Sequence, residues 1–360
     1  MFTERTSVGL DVHARSIFAH AVDWQTGRHM SQRLVPTNDE VLAWLRRLPG
    51  PAAVAYEAGP TGFGLARALS AAGIRCVVVA PSKLERPPGD RVKTDKRDAA
   101  RLARLLHIGE LPAVRVPGEA EQAARDLVRA REDARADLMS ARHRCSKLLL
   151  RHGIVYNGGS AWTAAHEQWL RGQRFDHAGL QVAFDEAFDA VVTTLARRDR
   201  LDTAIAELAA TGPWASVVTR LACVRGIATL TAFGLAVEIG DWQRFTGSSI
   251  GAYLGLVPAE DSSGDRRAQG PITKAGNSHA RRLLVEAAWH HRRPLRAPTK
   301  PVRTHRAAVS PAVRARAQAA DRRLHHRWIT LDGRGKRATV SVVAVARELA
   351  GWCWSLALME

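Results

Sequence analysis

The sequence is poor in cysteine, in long apolar runs and in acidic side chains, and each shortage excludes something. Its four cysteines, Cys76, Cys145, Cys223 and Cys353, lie far apart and form no Cys-x-x-Cys pair. That spacing implies neither a disulfide framework nor a thiolate zinc site, and a reducing cytosol is the compartment it fits. No run of 18 apolar residues occurs, so no membrane span is expected. Met1 to Leu10 lacks the basic and apolar blocks of a signal peptide. Internal repeats and low-complexity tracts are absent as well. Acidic residues number 35 against 53 Lys and Arg, for a net charge of +18 and a pI near 11. An apolar fraction of 46% nevertheless argues against global disorder. A length of 360 residues predicts two or three domains.

The positive charge is concentrated. Between Gly264 and Arg337 there are 19 Lys and Arg against 4 Asp and Glu, which is +15 of the total +18. Arg outnumbers Lys there, which suits bidentate contacts to phosphate, and a polyanion is the partner this implies.

Against this basic background, four carboxylates stand in informative places. Asp11 ends the apolar run Ser7-Val8-Gly9-Leu10, and Glu57 ends Ala52-Ala53-Val54-Ala55-Tyr56. Asp95 and Asp98 stand at i and i+3 of a helix for which Thr94 is the expected N-cap, so they share one face. Strand ends and helix starts project side chains into one cleft. Four carboxylates gathered there repel one another unless a divalent cation holds them. Hard oxygen ligands of this kind suit Mg²⁺ or Mn²⁺, and such ions can clamp a phosphodiester. Lys93, Lys96 and Arg97, interleaved with the two aspartates, are candidate phosphate contacts.

Coarse periodicity divides the chain into three. Residues 1–115 read as α/β. Strands are expected at Val8–Val12, Ile17–Val22, Val54–Tyr56 and Arg75–Ala80, the second hairpinning through Gln25-Thr26-Gly27. Helices are expected at Asn38–Leu48, Thr61–Ala72 and from Thr94 to about His107. Residues 116–212 read as helical. The Ala-, Arg- and Leu-rich stretches Glu119–His152 and Phe184–Ala210 suit an antiparallel coiled coil or dimer arm. Residues 213–360 read as mainly helical. Within them, Leu221–Ala228 followed by Thr231–Ile239 resembles a helix-hairpin-helix with a reduced Gly226-Ile227-Ala228 turn. Such a turn would offer its amides to phosphate. A basic helix is expected from about Ser278, Arg292–Ala320 reads as a flexible basic segment, and Val340–Leu358 as a core helix with Trp352 and Trp354.

Taken together and in order, these motifs resemble the DEDD-type insertion-sequence transposases of the "insertion sequence one-ten" family, which includes the Piv DNA invertases. The resemblance rests on Gly-Leu-Asp11-Val-His, Tyr-Glu57-Ala-Gly and Lys-Thr-Asp95-Lys-Arg-Asp98-Ala in the amino-terminal part. In the carboxy-terminal part it rests on Leu-Gly-Leu-Val-Pro258, Ser262-Ser263-Gly264 and Ile272-Thr-Lys274-Ala-Gly276-Asn277, with Val345-Ala-Arg347-Glu348-Leu-Ala-Gly351 closing the match. It implies α/β plus α architecture: an RNase H-like (RuvC-like) mixed-sheet domain, a coiled-coil middle and a mainly helical transposase domain. It further implies that Asp11, Glu57, Asp95 and Asp98 bind Mg²⁺ (or Mn²⁺). A serine would attack DNA covalently at a composite site built from two subunits of a homodimer or tetramer. A structured non-coding guide RNA would pair with donor and target DNA in a prokaryotic, nucleoid-associated cytoplasmic setting.

The residues favour Ser263 over Ser262 as nucleophile, because Gly264 beside it permits a sharp turn. Arg266, Arg267 and Lys274 stand near enough in sequence to neutralise a phosphate, and Arg281 and Arg282 lie on the basic helix that follows. Other readings use less of the chain. A RuvC-like hydrolytic resolvase explains the four acids but leaves the serine loop unused. Gly9-Leu10-Asp11-Val12-His13 also resembles the first phosphate loop of actin-like kinases, but no second Asp-x-Gly loop follows. A non-enzymatic nucleic-acid-binding protein would not need all four acids.

Overall fold

Strand β1 (Thr6–Val12) is the centre from which the amino-terminal unit is built. It pairs antiparallel with β2 (Ile17–Asp23), which pairs antiparallel with β3 (Arg28–Leu34). On its other side lies β4 (Ala52–Glu57), parallel to it, and beyond that β5 (Cys76–Val79), parallel to β4. The five strands therefore stand in the order β3-β2-β1-β4-β5 in one mixed sheet. Helices α1 (Asn38–Leu45), α2 (Gly64–Ala71) and α3 (Asp95–Ile108) complete this part. The computed structural model describes residues 4–81, 84, 94–260 and 268–360. Backbone contacts divide the chain into two units, Met1–Gly118 and Glu119–Glu360.

The sequence explains why the sheet is arranged so. Central β1 and β4 are buried from Thr6 to Leu10 and from Ala53 to Tyr56, whereas edge strand β3 alternates exposed and covered positions. One face carries large side chains, with Val8, Leu10, Val54 and Tyr56 packed with Val41, Trp44 and Leu45 of α1 and Leu69 of α2. Each such buried side chain contributes roughly 1.5–3 kcal/mol. The opposite face is lined by small residues, Gly9, Ala53 and Ala55, and α3 lies directly on it through Leu102 and Leu106. A Cβ at Gly9 would stand 1.9 Å from the Ala99 carbonyl oxygen, so only glycine permits this approach.

The second unit is helical. Its two longest elements, α4 (Glu119–Arg151) and α6 (Ala178–Thr211), pack together, with α5 (Ala164–Arg171) between them in sequence. They run antiparallel, because Arg131 bonds Asp202 at 2.6 Å while Arg197 reaches Asp137 at 3.5 Å. The remaining helices are α7 (Ala215–Leu221), α8 (Thr229–Ile239), α9 (Ser249–Tyr253), α10 (Ser278–Ala288), α11 (Lys300–Ala307), α12 (Pro311–Gly333) and α13 (Ala338–Ala357). A two-stranded antiparallel ribbon, β6 (Pro258–Glu260) and β7 (Gln269–Ile272), lies between α9 and α10. The main core of this unit gathers side chains from α7, α8, α10, α12 and α13, including Phe233, Leu284, Leu324, Trp328 and Leu349. Among the described residues α13 alone is long and apolar enough to cross a membrane, but half of it is buried within the protein.

Two sequence expectations are corrected here. Arg292–Ala320 is not a flexible tract throughout. It holds α11 and the start of α12, which Ser310 caps by accepting from the Val313 amide, with Pro311 in the first turn and Val313, Ala317 and Ala320 buried. Most of the charge that makes the segment look unstructured sits on outward positions, while Arg306 is buried and paired with Asp321 at 2.6 Å. The Gly226 turn does join two helices, α7 and α8, but its surroundings are internal. The Arg225 amide donates to Asp321 at 3.0 Å, and a Cβ at Gly226 would meet the Ala287 carbonyl oxygen at 2.5 Å. That turn is used for packing rather than held out toward phosphate.

Candidate active site: an acidic cluster at strand ends

Leu10 stands opposite Tyr56 in the parallel register of β1 and β4. One residue further on, Asp11 and Glu57 therefore occupy neighbouring strand ends. Side chains alternate along a strand, so Asp11 falls on the same face as Gly9, the face on which α3 lies. Close approach of α3 at Gly9 brings the first turn of that helix to the end of β1. Thr94 caps α3 by accepting from the Arg97 amide, which starts the helix at Asp95 and turns Asp95 and Asp98 toward the sheet, half-buried, while Lys96 and Arg97 stay exposed.

One ligand atom each from Asp11, His13 and Asp95 lies within 4.8 Å of the others. His13 Nε2 stands 3.2 Å from Asp11 Oδ1. Burial raises the Asp11 carboxyl above its ordinary range. His13 opposes that rise, and the charges of Asp95 and Asp98 reinforce it. A carboxylate raised by desolvation and by two like charges is relieved by a cation, and the donor set is oxygen-rich with one imidazole. The residues thus fit a divalent ion. Asp98 is felt by Asp11 through its charge, and Glu57 ends the adjacent strand, but neither belongs to the three-atom group.

Arg33 on β3 was not anticipated. Its guanidinium bonds Asp95 at 3.2 Å and the Ser16 hydroxyl at 2.9 Å. Only the sheet order could have revealed it, since 62 residues separate it from its partner. His13, just past the end of β1, also belongs to the cluster.

The other expected site residues belong to the second unit or fall outside the described residues. Lys93, Ser262, Ser263, Arg266 and Arg267 are outside them. The serine-bearing segment joins β6 to β7. Lys274 follows β7, exposed, with a left-handed backbone at φ 54°. Arg281 donates to the Leu254 and Ala275 carbonyls at 3.0 and 2.8 Å, and Arg282 pairs with Glu132 and Glu286. Both guanidiniums are thus already engaged within the protein.

A second centre escaped the sequence reading. Glu238, on the apolar helix α8, is buried. It accepts from Arg129 at 3.1 Å through each carboxylate oxygen, from Asn277 at 2.6 Å, and lies 3.1 Å from His279 Nδ1. Burial alone would raise its carboxyl, but His279, Arg129 and Asn277 outweigh it and pull the pKa down to about 2. The signal was a lone acid in Leu-Ala-Val-Glu238-Ile, which at that position must find partners. This network ties α4 to the start of α10.

Two family models match the chain. The DEDD transposase model of the IS110 group matches residues 8–154, and the model described as "Transposase IS116/IS110/IS902 family" matches residues 218–299. The transposase homologue y4qE of Sinorhizobium fredii is 45% identical over 303 residues, covering 84% of this chain and 74% of that protein. The transposase for insertion sequence element IS1533 of Leptospira borgpetersenii is 30% identical over 338 residues, covering 92% and 97%. The chain belongs to the IS116/IS110/IS902 transposase family. It is therefore an enzyme of the DNA-transposing class. The first match of this transposase contains Asp11, Glu57, Asp95 and Asp98. Its second contains Ser262, Ser263 and Lys274, together with Glu238, Asn277 and His279 of the buried network, whose Arg129 lies in the first.

Proposed function

We propose that this transposase cuts and rejoins the DNA of an insertion sequence, using a divalent-metal site in an RNase H-like domain and a serine nucleophile. The observation that carries the reading is the meeting of Asp11, His13 and Asp95 at the end of β1, with Glu57 ending the next strand and Asp98 one turn along α3. Asp11, Glu57, Asp95 and Asp98 would hold Mg²⁺ or Mn²⁺. When bound, the ion would supply Lewis-acid charge to a phosphodiester. Asp11 would be the central ligand, its ionised form stabilised by the cation. His13 would orient the Asp11 carboxylate, and Arg33 would fix Asp95.

Ser263, with Ser262 as its rival, would supply the hydroxyl. An Oγ–phosphorus bond would form as the bond to one deoxyribose oxygen breaks, leaving a phosphoserine-linked strand and a free hydroxyl end for rejoining. Lys96, Arg97 and Lys274 would hold backbone phosphates, with Lys93, Arg266 and Arg267 doing so beside the aspartates and the serine. Donor and target would be chosen through a structured guide RNA, so that base pairing reads sequence while the basic protein surface holds backbones. The pair α4 and α6 would serve as a coiled-coil arm of a homodimer or tetramer, between an amino-terminal metal domain and a carboxy-terminal transposase domain. The setting would be the nucleoid of a prokaryotic cytoplasm.

The experiment is a substrate labelled on the retained phosphate. A protein–DNA adduct should form with the parent chain, vanish in Ser263→Ala and persist in Ser262→Ala. Metal-dependent cleavage with free phosphate ends and no adduct at any time would instead identify a hydrolytic RuvC-like nuclease.

A further inference from the structure

The face formed by α9, α12 and α13 carries a cleft of about 460 Å³ that the chemistry above does not use. Its walls include Arg316 and Arg327 from α12, Arg347, Trp352 and Trp354 from α13, and Gly247 from the loop preceding α9. The charge is lopsided. Glu348, the carboxylate in this lining, is engaged by Arg323 at 2.6 Å and Arg327 at 3.9 Å. Arg316 and Arg347 have no carboxylate partner among the described residues. Arg316 lies over the Trp352 ring at 4.4 Å and donates to the Ser355 hydroxyl at 2.9 Å, which anchors it against the indole. Trp352 and Trp354, expected from the sequence to be core residues, pack against the core from its edge and are half-buried. The buried stripe of α13 runs instead through Val345, Leu349, Cys353 and Leu356.

We propose that this cleft binds an unpaired segment of nucleic acid, with one base stacked on the Arg316–Trp352 pair and the flanking phosphates held by Arg347 and Arg327. The inference rests on the reading of the protein as a nucleic-acid enzyme and adds a site that recognises single strands. A guanidinium stacked on an indole offers a flat surface that any base can extend, whereas bases in a duplex are covered by their neighbours. Arg347, without a carboxylate partner among the described residues, and Arg327, only loosely paired with Glu348 at 3.9 Å, supply the complementary charge for phosphate. DNA and RNA strands share this chemistry.

The test measures anisotropy of labelled oligo-dT, oligo-U and duplex DNA, each about 12 units long, with the full chain. Trp352→Leu should weaken strand binding about tenfold, the loss expected for one stacked base. Arg347→Ala should weaken it about threefold, as for one lost phosphate contact. Duplex affinity should change less than twofold. Tighter binding of oligo-dT or of oligo-U would name the strand served, and either supports the site. Arg347 is exposed, so its variant remains informative if Trp352→Leu folds poorly. Strand affinity unchanged in both variants, or equal losses on strand and duplex, overturns the site. Failure of the parent chain to bind nucleic acid of any kind would instead overturn the reading beneath it.

Discussion

Gly9 lies against the Ala99 carbonyl, and the gap between strand and helix leaves no room for even a methyl group. That contact sets how near the first turn of α3 comes to the end of β1, and hence the spacing of Asp11 and Asp95. Gly9→Ala should push α3 outward. The expected result is destabilisation of about 1–3 kcal/mol from overpacking, with a larger proportional loss of metal-dependent DNA cleavage. Urea unfolding and a cleavage assay on the same preparation check it. Full cleavage in a well-folded variant would show that the spacing is not set there.

Asp11→Asn separates metal binding from folding. The folded-state pKa of Asp11 is raised, so its ionised form is disfavoured by the fold, and its contribution to stability falls as pH rises through the raised value. Without metal the variant should be as stable as the parent near pH 7, or more so. Adding Mg²⁺ or Mn²⁺ should raise the melting temperature of the parent and not that of the variant, and EDTA should reverse the gain. An equal metal-induced shift in both proteins would remove Asp11 from the site.

The Glu238 network predicts an acid limit. Its folded pKa, about 2, is below the ordinary carboxylate value, so the stability it contributes is present above about pH 4.5 and lost as pH falls toward 2. Glu238→Gln should cost roughly 3 kcal/mol at pH 7, because the Arg129 guanidinium loses its counter-charge and the buried network loses an anionic acceptor. The difference between parent and variant should shrink between pH 4.5 and 2. A constant difference across that range would show that the charge is not what matters.

Binding to DNA should be steeply salt-dependent, given +15 between Gly264 and Arg337. If six or more phosphates are contacted, affinity should fall on the order of 10³-fold between 50 and 200 mM salt. Because Arg281 and Arg282 are engaged by carbonyls and carboxylates, replacing them should change stability more than the salt slope. A flat salt response would make the basic region a solvated surface.

The elements legible in the sequence were those whose signals are local. Asp11 and Glu57 were placed because apolar runs stop at them. The start of α3 was placed because Thr94 precedes a helical pattern, and α4 because nothing breaks Glu119–Arg151. What stayed hidden depends on distant pairing. Arg33 reaches Asp95 only through the strand order β3-β2-β1, and Glu238 gathers partners 109, 39 and 41 residues away. Arg292–Ala320 reads as flexible because arginine density dominates a pattern whose few buried positions, Arg306, Val313, Ala317 and Ala320, include no large apolar stripe.

The paired helices α4 and α6 carry two separate cores. At one end Ala124, Val128, Ile205 and Ala209 join the main core of the unit, and at the other Leu138, Cys145, Leu149, Phe184 and Val191 pack with Leu170 of α5. Between them the helices are linked by charge, through Arg131 with Asp202 and Arg197 with Asp137. The first pair is half-buried and the second exposed, and ion pairs open to water couple weakly. The far end can therefore open and reclose while the near end stays folded, and amide hydrogen exchange should report two protection levels along one continuous helix.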